Sequence, residues 1–446
     1  MGKEGNNLAR SDNPLQYHMV KLASLSLFRK ILWFVRSTLV FFFKQLLIKP
    51  MPNLSLCMIV QNEAANLPQC LDSVKSLVDE MVILDTGSQD DTVAIAKSYG
   101  AKMIEGKWTE DFSVARNEAL QSVTGDWVLM LDGDEQFNPK MAELINQAIA
   151  DDKNLVINLM RQEIGAAQSP YSAVSRLFRH HPAIRFNRPY HETIDDSVLA
   201  LLKQEPQWQI VDLPGVAIIH HGYTAEAIQN LDKANRAKRL LEKAIAANPQ
   251  DPYLCSKLGA LYLQLENEKE GMKLLKQGLK ANKAQAPVRF ELHYHLANAY
   301  NRQQKWELAL KHYQKAINEP ILLPLKLGAL NNLGGLLQRL GDLPKAQKIY
   351  ETVISIDPTL AMGYYNLGMV LKSSNRLPEA IKAYQKAIAL NPHYAEAYQN
   401  LGVTCFKAGL LPESLAAFKQ AINLYESKSS PEAEKLRQSL QDMGMI

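Results

Sequence analysis

Residues Asp126 to Glu135 read Asp-Trp-Val-Leu-Met-Leu-Asp-Gly-Asp-Glu. An apolar run, Trp127 to Leu131, stops at three carboxylates, Asp132, Asp134 and Glu135. A buried strand that delivers acids at its carboxyl end makes a poor core and a good seat for a divalent cation. Hard cations such as Mg²⁺ and Mn²⁺ take oxygen ligands, and need only one or two protein carboxylates when phosphates supply the rest. Read alone, the stretch is equally a strand followed by an acidic turn.

The flanking sequence shifts that balance. Leu54 to Val60 is a short apolar run ending at Gln61-Asn62-Glu63, and Leu67, Cys70, Leu71, Val74 and Leu77 follow at helical spacing. A second run, Met81 to Leu84, closes with Asp85-Thr86-Gly87-Ser88. A helix around Asp91 to Tyr99, a small strand near Met103 and a helix over Phe112 to Gln121 precede the Asp126 stretch. Strands alternating with helices predict a mostly parallel sheet with helices on its faces. Ligands on such sheets bind beyond the carboxyl ends of the strands. Asn62-Glu63, Asp85 to Ser88 and Asp132 to Asp134 should therefore meet on one rim.

Four segments carry a family resemblance: Ser55 to Glu63, Asp85 to Thr92, Ala115-Arg116-Asn117 and Gly125 to Glu135. Together, in order and spacing, they resemble family 2 glycosyltransferases of the Rossmann-like α/β GT-A fold, over about residues 53 to 223. The resemblance implies that Asp85 contacts the base or ribose of a nucleotide and that Arg116 lies near the nucleobase. Asn62 and Glu63 would line the same pocket. Asp132 and Asp134 match the family's Asp-x-Asp motif, in which the second Asp binds the metal and the first faces the ribose or the metal's waters. A cation on the diphosphate stabilises the negative charge that builds on the leaving group.

Two further pieces extend the expected site. Phe186-Asn-Arg-Pro-Tyr-His-Glu192 follows a strand-like stretch, Ala173 to Arg179. In similar sequences a His-Glu pair stands where the acceptor-activating carboxylate sits. Glu192 is the expected general base of an inverting displacement, with His191 and Asp195 as alternatives; the plainer reading is a pinned loop. Val216-Ala-Ile-Ile-His-His-Gly-Tyr223 is an apolar strand ending in polar residues. Imidazole can complete a carboxylate site for Mn²⁺. The resemblance assigns that role to His220 and a variable slot to His221, against a plain strand cap.

Beyond Thr224 strand patterns vanish and helix formers dominate. Small residues recur at Gly259, Ala297, Gly334, Gly368 and Gly402. Twelve residues after each stands another, Gly271, Ala309, Ala346, Ala380 and Ser414. Four further on come Leu275, Tyr313, Tyr350, Tyr384 and Phe418. The last two steps are 34 residues each, and the unit around Tyr364 to Pro392 resembles a tetratricopeptide repeat. Five repeats over 251–424 are expected, with a junction helix or partial repeat over 224–250 and a capping helix over 425–446. Such solenoids bind extended segments of other proteins; dimerisation or stiffening of the chain is the alternative role.

Between Asp12 and Glu63 there is no acidic residue, and Leu22 to Ile48 is rich in apolar residues. Arg29, Lys30, Arg36 and Lys44 interrupt it, so the ~20 uncharged residues of a spanning helix are missing. A basic amphipathic helix over 17–50, lying on an anionic membrane surface, fits best. Packing on the protein's own domains or a second subunit comes next, and a spanning or signal segment last. Residues 1–16 are expected to be disordered.

Across 446 residues the net charge is only +4, too small to argue for nucleic acid as a partner. Cys57, Cys70, Cys255 and Cys405 show neither disulfide nor metal spacing, a reduced cytosolic pattern. The sequence thus predicts a Mn²⁺- or Mg²⁺-dependent transferase, cytoplasmic and peripheral on the inner face of the cell membrane. It would move a hexose from a nucleotide sugar, a UDP-sugar by family precedent, to a protein or peptide on the repeats. Bacterial peptide S-glycosyltransferases share this layout. A transferase of lipopolysaccharide or other envelope glycans, and a non-catalytic repeat scaffold, are the competing expectations.

Overall fold

The computed structural model describes residues 51–166, 169–221, 231–281 and 284–445, without the side chains of 231–233. The expected tail, the basic helix of 17–50 and residues 222–230 of the junction lie outside the described residues. The amino-terminal half is built on an eight-stranded sheet in the order β3-β2-β1-β4-β7-β6-β8-β5. The strands are β1 (Leu54–Val60), β2 (Glu80–Asp85), β3 (Lys102–Glu105), β4 (Trp127–Met130), β5 (Glu135–Phe137), β6 (Asn154–Glu163), β7 (Tyr171–Arg179) and β8 (Gln209–His220). The helices between them are α1 (Leu67–Val74), α2 (Thr92–Ser98), α3 (Phe112–Leu120), α4 (Ala142–Ala150) and α5 (Asp195–Gln204).

Strands β1 to β4 run parallel, as the alternation of apolar runs and helical patterns predicts. The far half is mixed. β7 is antiparallel to β4 and β6, β8 is parallel to β6, and the short β5 is antiparallel to β8. The central strands β1 and β4 are apolar at every position but Ser55 because both faces are covered. Successive side chains divide between two layers. Leu56, Met58, Trp127 and Leu129 enter the core that contains Leu71 of α1. Cys57, Val128 and Met130 enter the opposite core, with Ala119 of α3 and Phe178 of β7.

Register sets the rim. Val60 pairs with Asp85 and Cys57 with Met130, so the loops after β1, β2 and β4 leave the sheet at one edge. On the far side Glu135 pairs with His220, and His220 with Glu163. A three-residue strand thereby carries the Asp132–Glu135 turn to the end of β8.

Twelve helices follow among the described residues: α6 (Leu231–Ala247), α7 (Pro252–Gln264), α8 (Glu268–Lys280), α9 (Ala286–Arg302), α10 (Trp306–Ile317), α11 (Leu327–Arg339), α12 (Leu343–Ile356), α13 (Ala361–Ser373), α14 (Leu377–Leu390), α15 (Ala395–Lys407), α16 (Leu411–Ser427) and α17 (Glu432–Asp442). The helices α7 to α16 pair off as the small-to-large spacing requires. A Cβ on Gly334 would stand 2.6 Å from Tyr350 Cζ, and one on Gly368 2.7 Å from Tyr384 Cε1. Each aromatic ring therefore lies on bare backbone of its partner helix. Tyr313, Tyr350 and Tyr384 are buried. Ala433, Leu436 and Leu440 of α17 close the last apolar cluster against Phe418 and Tyr425.

All four cysteines are buried thiols without disulfides. Among the described residues no helix is long and apolar enough to cross a membrane.

Candidate functional site

The loops after β1 and β2 lock together. Ser88 Oγ donates to Asp85 Oδ1 at 2.5 Å, and the Gly87 and Ser88 amides donate to Asp85 Oδ2, both at 3.1 Å. This tight turn places Gly87 at φ +109°, a backbone conformation that favours glycine. Asn62, also left-handed at φ 57°, donates its amide to Ser88 Oγ at 2.9 Å and accepts from the Gln89 amide at 2.8 Å. Glu63 donates its amide to Thr92 Oγ1 at 2.8 Å and accepts from Asn66 at 3.0 Å. Burial pushes the Glu63 carboxyl above its ordinary value. Gly133 is what lets Glu63 lie this close, since a Cβ there would stand 2.8 Å from Glu63 Cγ.

Asp132 and Asp134 part company. Asp132 Oδ1 accepts from Arg116 Nη2 at 2.6 Å and from Arg176 Nη1 at 3.3 Å, and its Oδ2 accepts from Arg176 Nη2 at 3.1 Å. Burial opposes its charge, but Arg176 and Arg116 hold its carboxyl well below the usual range. Arg116 also donates from Nε to Glu192 Oε1 at 2.6 Å. One buried guanidinium of α3 thus bridges the expected donor-side carboxylate and the expected base. Arg116 Nη1 remains buried with no hydrogen-bond partner among the described residues.

Asp134 turns to β8 instead. His220 Nε2 stands 3.3 Å from Asp134 Oδ2, and His220 Nδ1 stands 2.6 Å from Glu163 Oε2. Arg161 ties Glu163 (2.8 Å) to Glu135 (2.6 Å). Burial opposes a charged imidazole, yet Asp134 and Glu163 push the His220 pKa up to about 9. Glu135, grouped with the aspartates in the sequence, is fully buried and also accepts the Asp132 amide at 2.9 Å. It is a structural acid facing inward.

Asp134 and His220 are the side chains that could hold a divalent cation, His220 Nε2 giving up its proton to do so. One oxygen and one imidazole nitrogen already face each other, and a carboxylate on the far ring nitrogen fixes the imidazole as it does in metal sites. The described residues hold no cluster of three or more His, Cys, Asp or Glu side chains suited to a metal. Such a cation would need phosphate or water oxygens to complete its shell, as Mg²⁺ and Mn²⁺ sites commonly do.

These groups open into a cavity of about 1480 Å³. Glu63, Arg116, Asp132, Asp134, His191, Glu192 and His220 line one part, whereas Asn62 and Asp85 are absent from its wall. Asp195, the first residue of α5, also lines it, and burial pushes its carboxyl up. The opposite wall belongs to the helical array: Tyr253 and Lys257 of α7, Val288, Phe290 and Glu291 of α9, and Leu325.

Arg161, Glu163 and Arg176 escaped the sequence reading. The first two sit at the end of β6, a strand signalled only by the apolar residues Leu155, Val156, Ile157, Leu159 and Met160, broken by Asn158. Arg176 is a charge within a strand pattern, a signal that an acid waits across the sheet.

Comparison with known proteins assigns both halves to known families. The glycosyl transferase family 2 profile matches residues 55–211. Tetratricopeptide repeat profiles match 231–289, 291–320, 327–360 and 368–409. A TPR repeat-containing protein of Synechococcus elongatus is 45% identical over 308 residues, 69% of this chain and 76% of that protein. The SPbeta prophage-derived glycosyltransferase SunS of Bacillus subtilis is 26% identical over 239 residues, 51% of this chain and 53% of SunS. Among solved structures, YrrB, described as a TPR protein with an unusual peptide-binding site, is 18% identical with a TM-score of 0.38, over 46% of this chain and 100% of its own. With a family 2 fold whose strand ends gather the motif carboxylates, and repeats behind it, the chain belongs to the family 2 glycosyltransferases that carry carboxyl-terminal tetratricopeptide repeats.

Proposed function

We propose that this glycosyltransferase moves a hexose from a nucleotide sugar, a UDP-sugar by family precedent, to a protein or peptide held between the catalytic domain and the repeats. The observation that carries the reading is the shared cavity, whose walls come from the Asp132–Asp134 rim on one side and from α7 and α9 on the other. An acceptor in that space touches the array while its nucleophile faces Glu192.

In this reading Glu192 takes the acceptor's proton and Arg116 keeps Glu192 and Asp132 in register. The buried, unspent donor of Arg116 is available to a ligand oxygen. A Mn²⁺ or Mg²⁺ ion on Asp134 and His220 would neutralise the leaving diphosphate. Glu163 orients His220 for that role. Asn62 and Asp85 shape the base-and-ribose side through the Ser88 turn. The apolar patch of Val288, Phe290 and Leu325 supplies grip on an extended peptide.

The test begins with binding and slow hydrolysis of a panel of nucleotide sugars, with and without Mn²⁺, for wild type and Asp134→Ala. One donor is expected to bind in a metal-dependent way, with turnover at least ~100-fold lower in the variant, the scale of losing a charge-stabilising group. Equal turnover in both proteins overturns the metal site. Transfer to peptide acceptors is then compared in Phe290→Ala, where a raised KM is expected. Transfer to lipid-linked acceptors that is indifferent to Phe290 would favour an envelope glycan instead.

A further inference from the structure

The loop that ends in Glu192 is held from two sides, by its own domain and by the helical array. An isolated antiparallel bridge between Asn187 and Thr193 closes it. Within it Arg188 and His191 have φ of 78° and 55°, left-handed values that are costly for residues with a Cβ. Such a conformation persists only where its surroundings over-determine it. Here the loop's own domain supplies Asp196, 3.0 Å from Arg188 Nη2, and the Phe112 amide, which donates to the Pro189 carbonyl at 3.1 Å, and α6 and α7 supply the rest. Arg188 donates to Asp251 Oδ2 from Nε at 3.0 Å and Nη2 at 2.8 Å, and its guanidinium lies 4.8 Å from the Tyr253 ring centre. Tyr253 Oη donates to the His191 carbonyl at 3.0 Å. The Tyr190 side chain packs into the apolar cluster of Leu241, Leu254 and Leu258. The holder is itself anchored, because Asp251 Oδ1 caps α7 by accepting from the Tyr253 and Leu254 amides.

We infer that the repeat array is part of the catalytic unit: Asp251 and Tyr253 are positioning residues that set the place of Glu192 through Arg188 and His191. The inference rests on the reading of Glu192 as general base. Glu192 is the next residue along from His191, so a shift of that carbonyl moves its carboxylate relative to Arg116. Positional errors of about 1 Å at a reacting group can cost ~100-fold in rate. An acceptor that grips the array thereby also acts on the base.

The full-length chain serves for the test. Tyr253→Phe keeps the ring over Arg188 and removes only the bond to the His191 carbonyl. Asp251→Asn keeps a side chain that caps a helix and removes the array's charge facing Arg188, leaving only Asp196 of the loop's own domain, 3.0 Å from Arg188 Nη2. Hydrogen exchange of amides 187–193, which needs no ligand, is expected to rise at least ~10-fold in both variants while amides of β1 and β4 stay protected. Hydrolysis of UDP-glucose, UDP-galactose and UDP-N-acetylglucosamine is expected to show a kcat about 10-fold to 100-fold lower with donor KM unchanged. Adding Tyr253→Phe to Glu192→Gln should then cause no further loss. Unchanged exchange in the loop overturns the inference whatever the turnover. So does a further loss of kcat on the Glu192→Gln background, since Tyr253 would then act elsewhere. Full turnover in Glu192→Gln overturns the general-base reading first and this inference with it.

Discussion

The two halves of this protein are held together in opposite ways. In the sheet domain the decisive contacts join different strands, loops and helices through buried charge: Arg116 with Asp132 and Glu192, Arg176 with Asp132, and Arg161 with Glu135. In the array they join residues 16 apart through shape, a glycine or alanine under a large ring. A buried ion network costs desolvation, and its worth lies in where it places charge. A repeat interface adds stability through each neighbour and places little chemistry of its own.

The comparison is open to breaking at its strongest point. Arg116→Ala leaves Asp132 and Glu192 without the guanidinium they share. Unfolding in urea should reveal a loss of about 3–5 kcal/mol, the cost of stranding buried charge, together with loss of transfer. A small change in stability would show that water takes the arginine's place, and the network would then be functional only.

The array's counterpart is Tyr350→Ala. Removing a ring that is 2% exposed should cost about 3–5 kcal/mol. The loss should be confined to neighbouring repeats, which exchange mapping would show. Gly368→Ala comes next, at about 1–3 kcal/mol, because the added methyl meets Tyr384. If Gly368→Ala is neutral, the rings tolerate displacement, and small residues matter less to the crossing than the spacing implies.

The smallest effect expected is a pH dependence lodged in the array. His293 and His312 face each other at 3.0 Å between Nδ1 atoms. Burial first, then His293, Lys315, Lys311 and Lys276, push His312 down from its ordinary 6.5 to about 4. Tyr300 packs on the same ring. As pH falls the unfolded chain takes the proton before the folded one. The contribution is therefore complete above pH 6.5 and declines between 6.5 and about 4. Thermal unfolding of His312→Gln should have a flatter profile across that window than wild type. Parallel profiles would place the acid sensitivity elsewhere.

Legibility in the sequence followed the same divide. The first four strands and their helices could be read because each is a continuous apolar or helically spaced run. Arg161 and Glu163 at the end of β6 are not legible, because a short apolar stretch carries no mark of the acid or arginine it will meet. Asp132 and Asp134 stand two residues apart in one motif, yet one faces two arginines and the other a histidine. Nothing in their spacing separates those fates.

What the sequence determined by itself is periodic and local: apolar runs that become parallel strands, and a small-to-large spacing that becomes stacked helix pairs. Their physics involves near neighbours, so their pattern is written along the chain. The tertiary structure alone decided the rest. It turned Glu135 inward, brought Arg116 between Asp132 and Glu192, and hung the Glu192 loop on Asp251 and Tyr253 of the first repeat. Those contacts are made across the sheet and between the two halves. They depend on register and on which face each strand presents, and neither is encoded in any short segment.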